Sequence, residues 1–146
     1  MPRFTFAPAL LLASTLPALS SCTEPSQAGP VPATEQRTLG GGDVTPQAFS
    51  AALAGHPGAV LLDVRTTREW NEGHLTGAKR WDYFDTAFRD SLATVPVGGP
   101  VFVYCAAGGR SGEAATVLKE LGHREVYNLA GGFDAWERAG LPFEKP

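Results

Sequence analysis

From residue 43 onward the chain alternates short apolar runs with segments of helical period. Ala59 to Val64 is almost continuously apolar and Val101 to Tyr104 is wholly so, and residues 125–129 read as a further strand. Runs of this length with no polar face suit strands covered on both sides, as in parallel sheets. Helical segments lie between them. Thr45-Pro46 fits an N-cap and first helical position, opening a helix through about Ala54 that His56-Pro57-Gly58 ends. Thr66 with Glu69 three residues on makes a capping box for a short helix ending near Gly73. Lys79 to Asp82 is a weaker strand, and Phe84, Ala87 and Phe88 are expected on one face of the helix after it. From Ser111 onward Ala114, Val117, Leu118 and Leu121 share a face, and a last helix runs from about Gly132 to Ala139. Strand and helix in alternation predict an α/β domain, in which Trp70, Trp81 and Trp136 read as packing residues.

The front of the chain follows a different pattern. Met1 to Phe6 holds one arginine and no acid, and an apolar stretch from Ala7 to Leu19 leads to Ser20-Ser21-Cys22. That stretch is too short for a bilayer core and is interrupted by Pro8 and Pro17, so it reads as a secretory signal rather than a spanning helix. Leu19-Ser20-Ser21-Cys22 is similar to the lipobox of bacterial lipoproteins. The resemblance implies cleavage before Cys22, lipidation of that cysteine, and a chain tethered at the bacterial cell envelope, facing the periplasm or the exterior. Thr23 to Gly42, rich in Pro, Gly, Ser, Thr and Gln, reads as a disordered tether, with a root-mean-square span of roughly 25 Å for about 20 flexible residues. The expected organisation is a signal at 1–21, a lipidated cysteine and tether at 22–42, and one domain at 43–146.

Charge adds an exclusion. The chain carries 12 basic and 15 acidic residues, and losing Arg3 with the signal leaves 11 against 15, a charge of −4. Such a surface gives no basis for nucleic-acid binding or a polybasic membrane contact. There are two cysteines; with Cys22 lipidated, Cys105 has no disulfide partner within the chain. No Cys and His cluster has zinc spacing, no glycine fingerprint suggests a nucleotide, and no cofactor is expected.

Cys105 is where the chemistry concentrates. It follows an apolar strand and precedes a glycine-containing loop that opens into a helix. The positive end of the helix dipole and its unpaired N–H groups favour an anion there and lower a thiol pKa. Gly108 and Gly109 let the backbone curl so that several N–H groups converge, and Arg110 adds a permanent positive charge. Four residues separate Cys105 from Arg110. Cysteine-dependent phosphatases use a similar cradle with five, wide enough for a tetrahedral phosphate; the tighter loop suits a single extra sulfur on the thiol.

Cys105-Ala106-Ala107-Gly108-Gly109-Arg110-Ser111 resembles the active-site loop of single-domain rhodaneses, the sulfurtransferases. Two further stretches agree: Leu62-Asp63-Val64-Arg65 with Glu69-Trp70 and Gly73-His74-Leu75-Thr76-Gly77-Ala78, and Ala130-Gly131-Gly132-Phe133 through Trp136 to Ala139-Gly140-Leu141-Pro142. The likeness runs from about Asp43 to Pro142. It implies a rhodanese-like α/β domain with a central, mostly parallel sheet and helices on both faces. It also implies a ping-pong cycle in which Cys105 takes sulfur from a small anion such as thiosulfate and yields it to cyanide or a thiol.

In this reading the N–H groups of Ala106, Ala107, Gly108, Gly109 and Arg110 hold the transferred sulfur. Arg110 either orients the anionic donor or turns away to brace the loop against an acid. Ser111 caps the following helix, with a bond to the sulfur as a secondary role. Asp63, Arg65 and Glu69 are expected to support the loops, and His74 to make a structural hydrogen bond. The competing readings are a tethered binding or redox module and a cysteine-dependent phosphatase or arsenate reductase.

Overall fold

A computed structural model describes residues 40–146. The signal at 1–21, Cys22 and the tether up to residue 39 lie outside the described residues. Ten elements follow in order: β1 (Gly42–Val44), α1 (Pro46–Gly55), β2 (Val60–Asp63), α2 (Thr67–Glu72), β3 (Lys79–Arg80), α3 (Phe88–Ala93), β4 (Val101–Tyr104), α4 (Gly109–Glu120), β5 (Val126–Leu129) and α5 (Gly132–Arg138). The five strands form one parallel sheet in the order β1-β5-β4-β2-β3. Among the described residues no helix is long and apolar enough to cross a membrane.

Successive strand residues point to opposite faces, and here both faces are covered. On one side Leu62, Val101, Val103 and Val126 pack with Phe88 and Leu92 of α3 and with Ala114 and Leu118 of α4. On the other Leu61, Phe102, Tyr104, Tyr127 and Leu129 pack with Phe49 of α1 and with Phe133 and Trp136 of α5. This is why the central strands β2, β4 and β5 are mostly apolar on both faces. Tyr104 is fully buried and keeps its hydroxyl satisfied by accepting the Leu75 N–H at 3.0 Å.

Both expected helix starts are present. Thr45 accepts the Ala48 N–H at 3.3 Å, with Pro46 at the first helical position of α1. At α2 Thr66 and Glu69 form the reciprocal capping box; such a cap contributes about 1 kcal/mol.

Four details differ from the sequence reading. Phe84 is not on a helix: it is 70% exposed, and α3 starts only at Phe88. The cause is local, because Asp82 and Asp85 accept the N–H groups two residues on, at Phe84 (3.0 Å) and Ala87 (2.9 Å), and so hold the backbone in turns. Leu121 is the exposed C-cap of α4 rather than part of its buried face, and α4 begins at Gly109, two residues before Ser111. The sheet also gains β1, beginning at Gly42 and paired with β5 through Val44↔Leu129; three residues are too few to show a periodicity.

Candidate active site

Cys105 follows β4 at its carboxyl end, where ligands collect in parallel sheets. Gly108 adopts a left-handed conformation (φ 97°) and is itself the N-cap of α4, so Ser111, already within the first helical turn beside Arg110, does not cap the helix as expected; its hydroxyl instead faces Cys105 Sγ and the Gly108 carbonyl. The buried Cys105 Sγ accepts the Gly108 N–H at 3.1 Å and the Ser111 hydroxyl at 3.4 Å. Burial pushes the thiol pKa up. Hydrogen bonds from Ser111, Gly108 and Ala107 outweigh that and hold it below its ordinary value. The loop is thus built to carry negative charge on sulfur.

Arg110 takes the bracing arrangement. Its guanidinium donates to both carboxylate oxygens of Glu69, at 2.6 and 3.1 Å. The same carboxylate accepts the Thr66 N–H (3.0 Å) and hydroxyl (2.6 Å). One side chain therefore caps α2 and ties it to the head of α4. Arg110 and Thr66 hold the Glu69 carboxyl down to about 2. Toward solvent, Arg110 lies 5.7 Å from the Phe84 ring centroid, so an exposed aromatic stands beside this half-buried charge.

Asp63 and Arg65 form a buried ion pair. Arg65 donates to Asp63 Oδ1 at 3.0 Å and to Oδ2 at 2.6 Å, continues to the Gly73 carbonyl at 2.7 Å, and lies 4.2 Å from the Phe133 ring centroid. The pair joins the end of β2, the end of α2 and the start of α5. Among the described residues the sulfur takes its hydrogen bonds from Gly108 and Ser111 and none from this pair. His74 is likewise structural: Nε2 lies 3.1 Å from Glu144 Oε1, its backbone makes an antiparallel bridge with Glu144, and its ring stacks on Trp70 with centroids 3.5 Å apart. Trp136 is buried and donates to the Pro142 carbonyl at 3.0 Å, and Trp81 packs against the α3 and α4 side of the core.

One contributor was missed from sequence. The N–H groups of Phe133 and Asp134, at the start of α5, donate to the carbonyls of Cys105 (2.7 Å) and Ala106 (3.0 Å). With those carbonyls held away from the sulfur, the following N–H groups are free to face it. Gly132 makes the approach feasible, since a Cβ there would sit 2.3 Å from the Ala106 oxygen and 2.4 Å from the Cys105 oxygen. The signal was present as two adjacent glycines between a strand and a helix, where close backbone approach is the physical use.

This loop geometry, seated between two parallel strands and pinned from below, can be set against known proteins. Residues 45–139 match the rhodanese-like domain. The chain belongs to the rhodanese-like family. It is 32% identical over 104 residues to a protein named sulfurtransferase from Allochromatium vinosum, a match covering 71% of this chain and 95% of that one. Against the thiosulfate sulfurtransferase GlpE of Pseudomonas fluorescens it is 38% identical over 87 residues, covering 60% and 77%. The crystal structure of Rv0390 from M. tuberculosis superposes with a TM-score of 0.62 at 28% identity, covering 71% of this chain and 97% of that one. The rhodanese-like match spans the N-cap of α1 to the C-cap of α5 and contains the loop, Asp63, Arg65, Glu69 and Gly132. Strand β1 and the bridge to Glu144 lie outside it.

Proposed function

We propose that this rhodanese-like domain is a sulfurtransferase that carries sulfane sulfur as a persulfide on Cys105. The carrying observation is the Sγ held by the Gly108 N–H and the Ser111 hydroxyl at the head of α4, in a loop of four residues before Arg110. The relatives named sulfurtransferase and thiosulfate sulfurtransferase support the same reaction class.

With thiosulfate as donor, the Cys105 thiolate attacks the outer sulfur. The bond between the two sulfurs of thiosulfate breaks, its electron pair leaves with sulfite, and the persulfide keeps one negative charge on its terminal sulfur. The loop N–H groups of Ala106 to Arg110 stabilise that charge. Cyanide or a thiolate then attacks the terminal sulfur, and Sγ departs as thiolate, ready for another cycle. Arg110, fixed by the Glu69 carboxylate, braces the loop at the head of α4, and the loop N–H groups are left to hold the anionic donor. The small side chains of Ala106 and Ala107 leave the entrance open. The lipobox-like Leu19-Ser20-Ser21-Cys22 supports a lipid anchor on Cys22 at the bacterial cell envelope; loss of fatty-acid labelling in Cys22→Ser would test it.

Intact-protein mass spectrometry tests the reaction. Incubation with thiosulfate is expected to add one sulfur atom that cyanide then removes, with no gain in Cys105→Ser. No gain in the unaltered protein would refute thiosulfate as donor. Hydrolysis of a generic aryl phosphate would instead favour phosphatase chemistry.

A further inference from the structure

Asn128 is a buried amide in an otherwise apolar strand, β5. Its Nδ2 donates to Asp43 Oδ1 of β1 at 2.8 Å and reaches the Gly108 carbonyl at 3.4 Å, while its buried Oδ1 has no partner among the described residues. With acceptors on the nitrogen side and none at the oxygen, the amide orientation follows from its surroundings. A fold that leaves a buried oxygen unpaired carries an energetic cost, so apolar packing alone does not account for an asparagine here.

The Gly108 carbonyl is contested. It accepts the Gly112 N–H of the α4 ladder at 2.9 Å and lies 3.1 Å from Ser111 Oγ, in addition to Asn128. A carbonyl oxygen has two lone pairs, so one of these three donors is dispensable. Ser111 has a single hydroxyl proton and two acceptors within reach, Gly108 O and Cys105 Sγ at 3.4 Å. The Gly112 bond is fixed by the helix. Asn128 therefore decides whether the serine proton is needed at the carbonyl.

We propose that Asn128 is a positioning residue of the sulfur site: by satisfying the Gly108 carbonyl it releases the Ser111 proton to the ionised sulfur of Cys105. This rests on the sulfurtransferase reading for its purpose but not for its test. When Sγ is a neutral thiol, the serine proton sits at Gly108 O. When Sγ is a thiolate or persulfide, the hydroxyl rotates toward it and Asn128 takes its place at the carbonyl. No bond is made or broken and no proton leaves Ser111.

A four-member cycle tests this in the full-length chain: unaltered protein, Asn128→Leu, Ser111→Ala and the double variant. The rate of iodoacetamide alkylation at Cys105 is followed against pH by peptide mass spectrometry, which separates Cys105 from Cys22. Leucine has a similar size and removes the unpaired oxygen along with the amide. Asn128→Leu is expected to raise the midpoint by about one pH unit, a roughly tenfold smaller thiolate fraction at pH values below the midpoint. Ser111→Ala is expected to raise it by at least as much, and adding Asn128→Leu to Ser111→Ala to change nothing further. Equal shifts from Asn128→Leu in both backgrounds would mean that it acts on the fold and not through Ser111, which overturns the proposal. So would an unchanged midpoint in Asn128→Leu. Should leucine not be accommodated, Asn128→Ala removes the amide without adding volume. Ser111→Ala alone also suffices to refute, since an unshifted midpoint there leaves no serine proton for Asn128 to release. Sulfur loading from thiosulfate, run in parallel on the unaltered chain, distinguishes a failure of the sulfurtransferase reading from a failure of this one.

Discussion

Substituting Gly132 by alanine, with Gly140→Ala as its control, isolates what the glycine-rich start of α5 contributes to the sulfur site. Both glycines are left-handed, at φ +59° and +68°, so both substitutions incur the same backbone strain, about 1 to 2 kcal/mol. They differ in surroundings. Among the described residues a Cβ at Gly140 has nothing within 4 Å, whereas one at Gly132 falls 2.3 Å from the Ala106 oxygen, against 3.4 to 4 Å for ordinary contact. Loop and helix must then separate by about an ångström. That stretches the Phe133 and Asp134 bonds to the Cys105 and Ala106 carbonyls, now 2.7 and 3.0 Å, beyond useful length. Two acceptors left without donors cost about 1 to 3 kcal/mol each, so Gly132→Ala should be about 2 to 6 kcal/mol less stable than Gly140→Ala. With the carbonyls released, the N–H groups lose their aim, and sulfur loading should fall by about a hundredfold or more, as when a preorganised donor is lost. Urea unfolding followed by circular dichroism measures the first quantity. A loading time course on the folded fraction measures the second. Gly132→Ala matching Gly140→Ala in both would refute the claim that α5 shapes the loop.

Other residues give independent checks. Asp63→Ala leaves the buried Arg65 guanidinium without its carboxylate and should lower stability by about 3 to 5 kcal/mol in the same urea assay. The Glu69 carboxyl, held at about 2 against an ordinary 4.5, contributes stability that is present above the ordinary value and lost as pH falls through about 2. The unaltered protein should therefore lose stability across that acid range, and Glu69→Gln should show a flatter thermal-melting profile there. Phe84→Ala, at an exposed turn, should change stability by no more than about 0.5 kcal/mol, whereas Leu92→Ala, on the buried face of α3, should cost about 2 to 5 kcal/mol.

What could be read from sequence was decided within a few residues of chain. Thr45 and Thr66 cap their helices because an N-cap bonds an N–H only two or three residues on, and the apolar runs became strands because both faces are covered. Cys105 could be placed at the head of a helix from its neighbours alone, since the strand end, the glycines and the helix dipole are consecutive in sequence. Phe84 shows the limit of the same reasoning: its spacing to Phe88 fits a helix, but aspartates at 82 and 85 offered the backbone nearer partners.

Only the tertiary structure could settle choices between partners far apart in the chain. Arg110 had two chemically sound options, and the ion pair followed from the parallel sheet bringing α2 beside the head of α4, so that Glu69, forty-one residues earlier, lies within 2.6 Å. Asn128 and Gly132 reach the loop in the same way, from the strand next to β4 and from the start of the helix after it. Three short residues pairing with β5 made β1, which carries no pattern of its own. A sequence pattern records which side chains can bury or bond. Distance, which falls off steeply in both packing and hydrogen bonding, is set by how the sheet is ordered, and that order decides which of the available partners each residue meets.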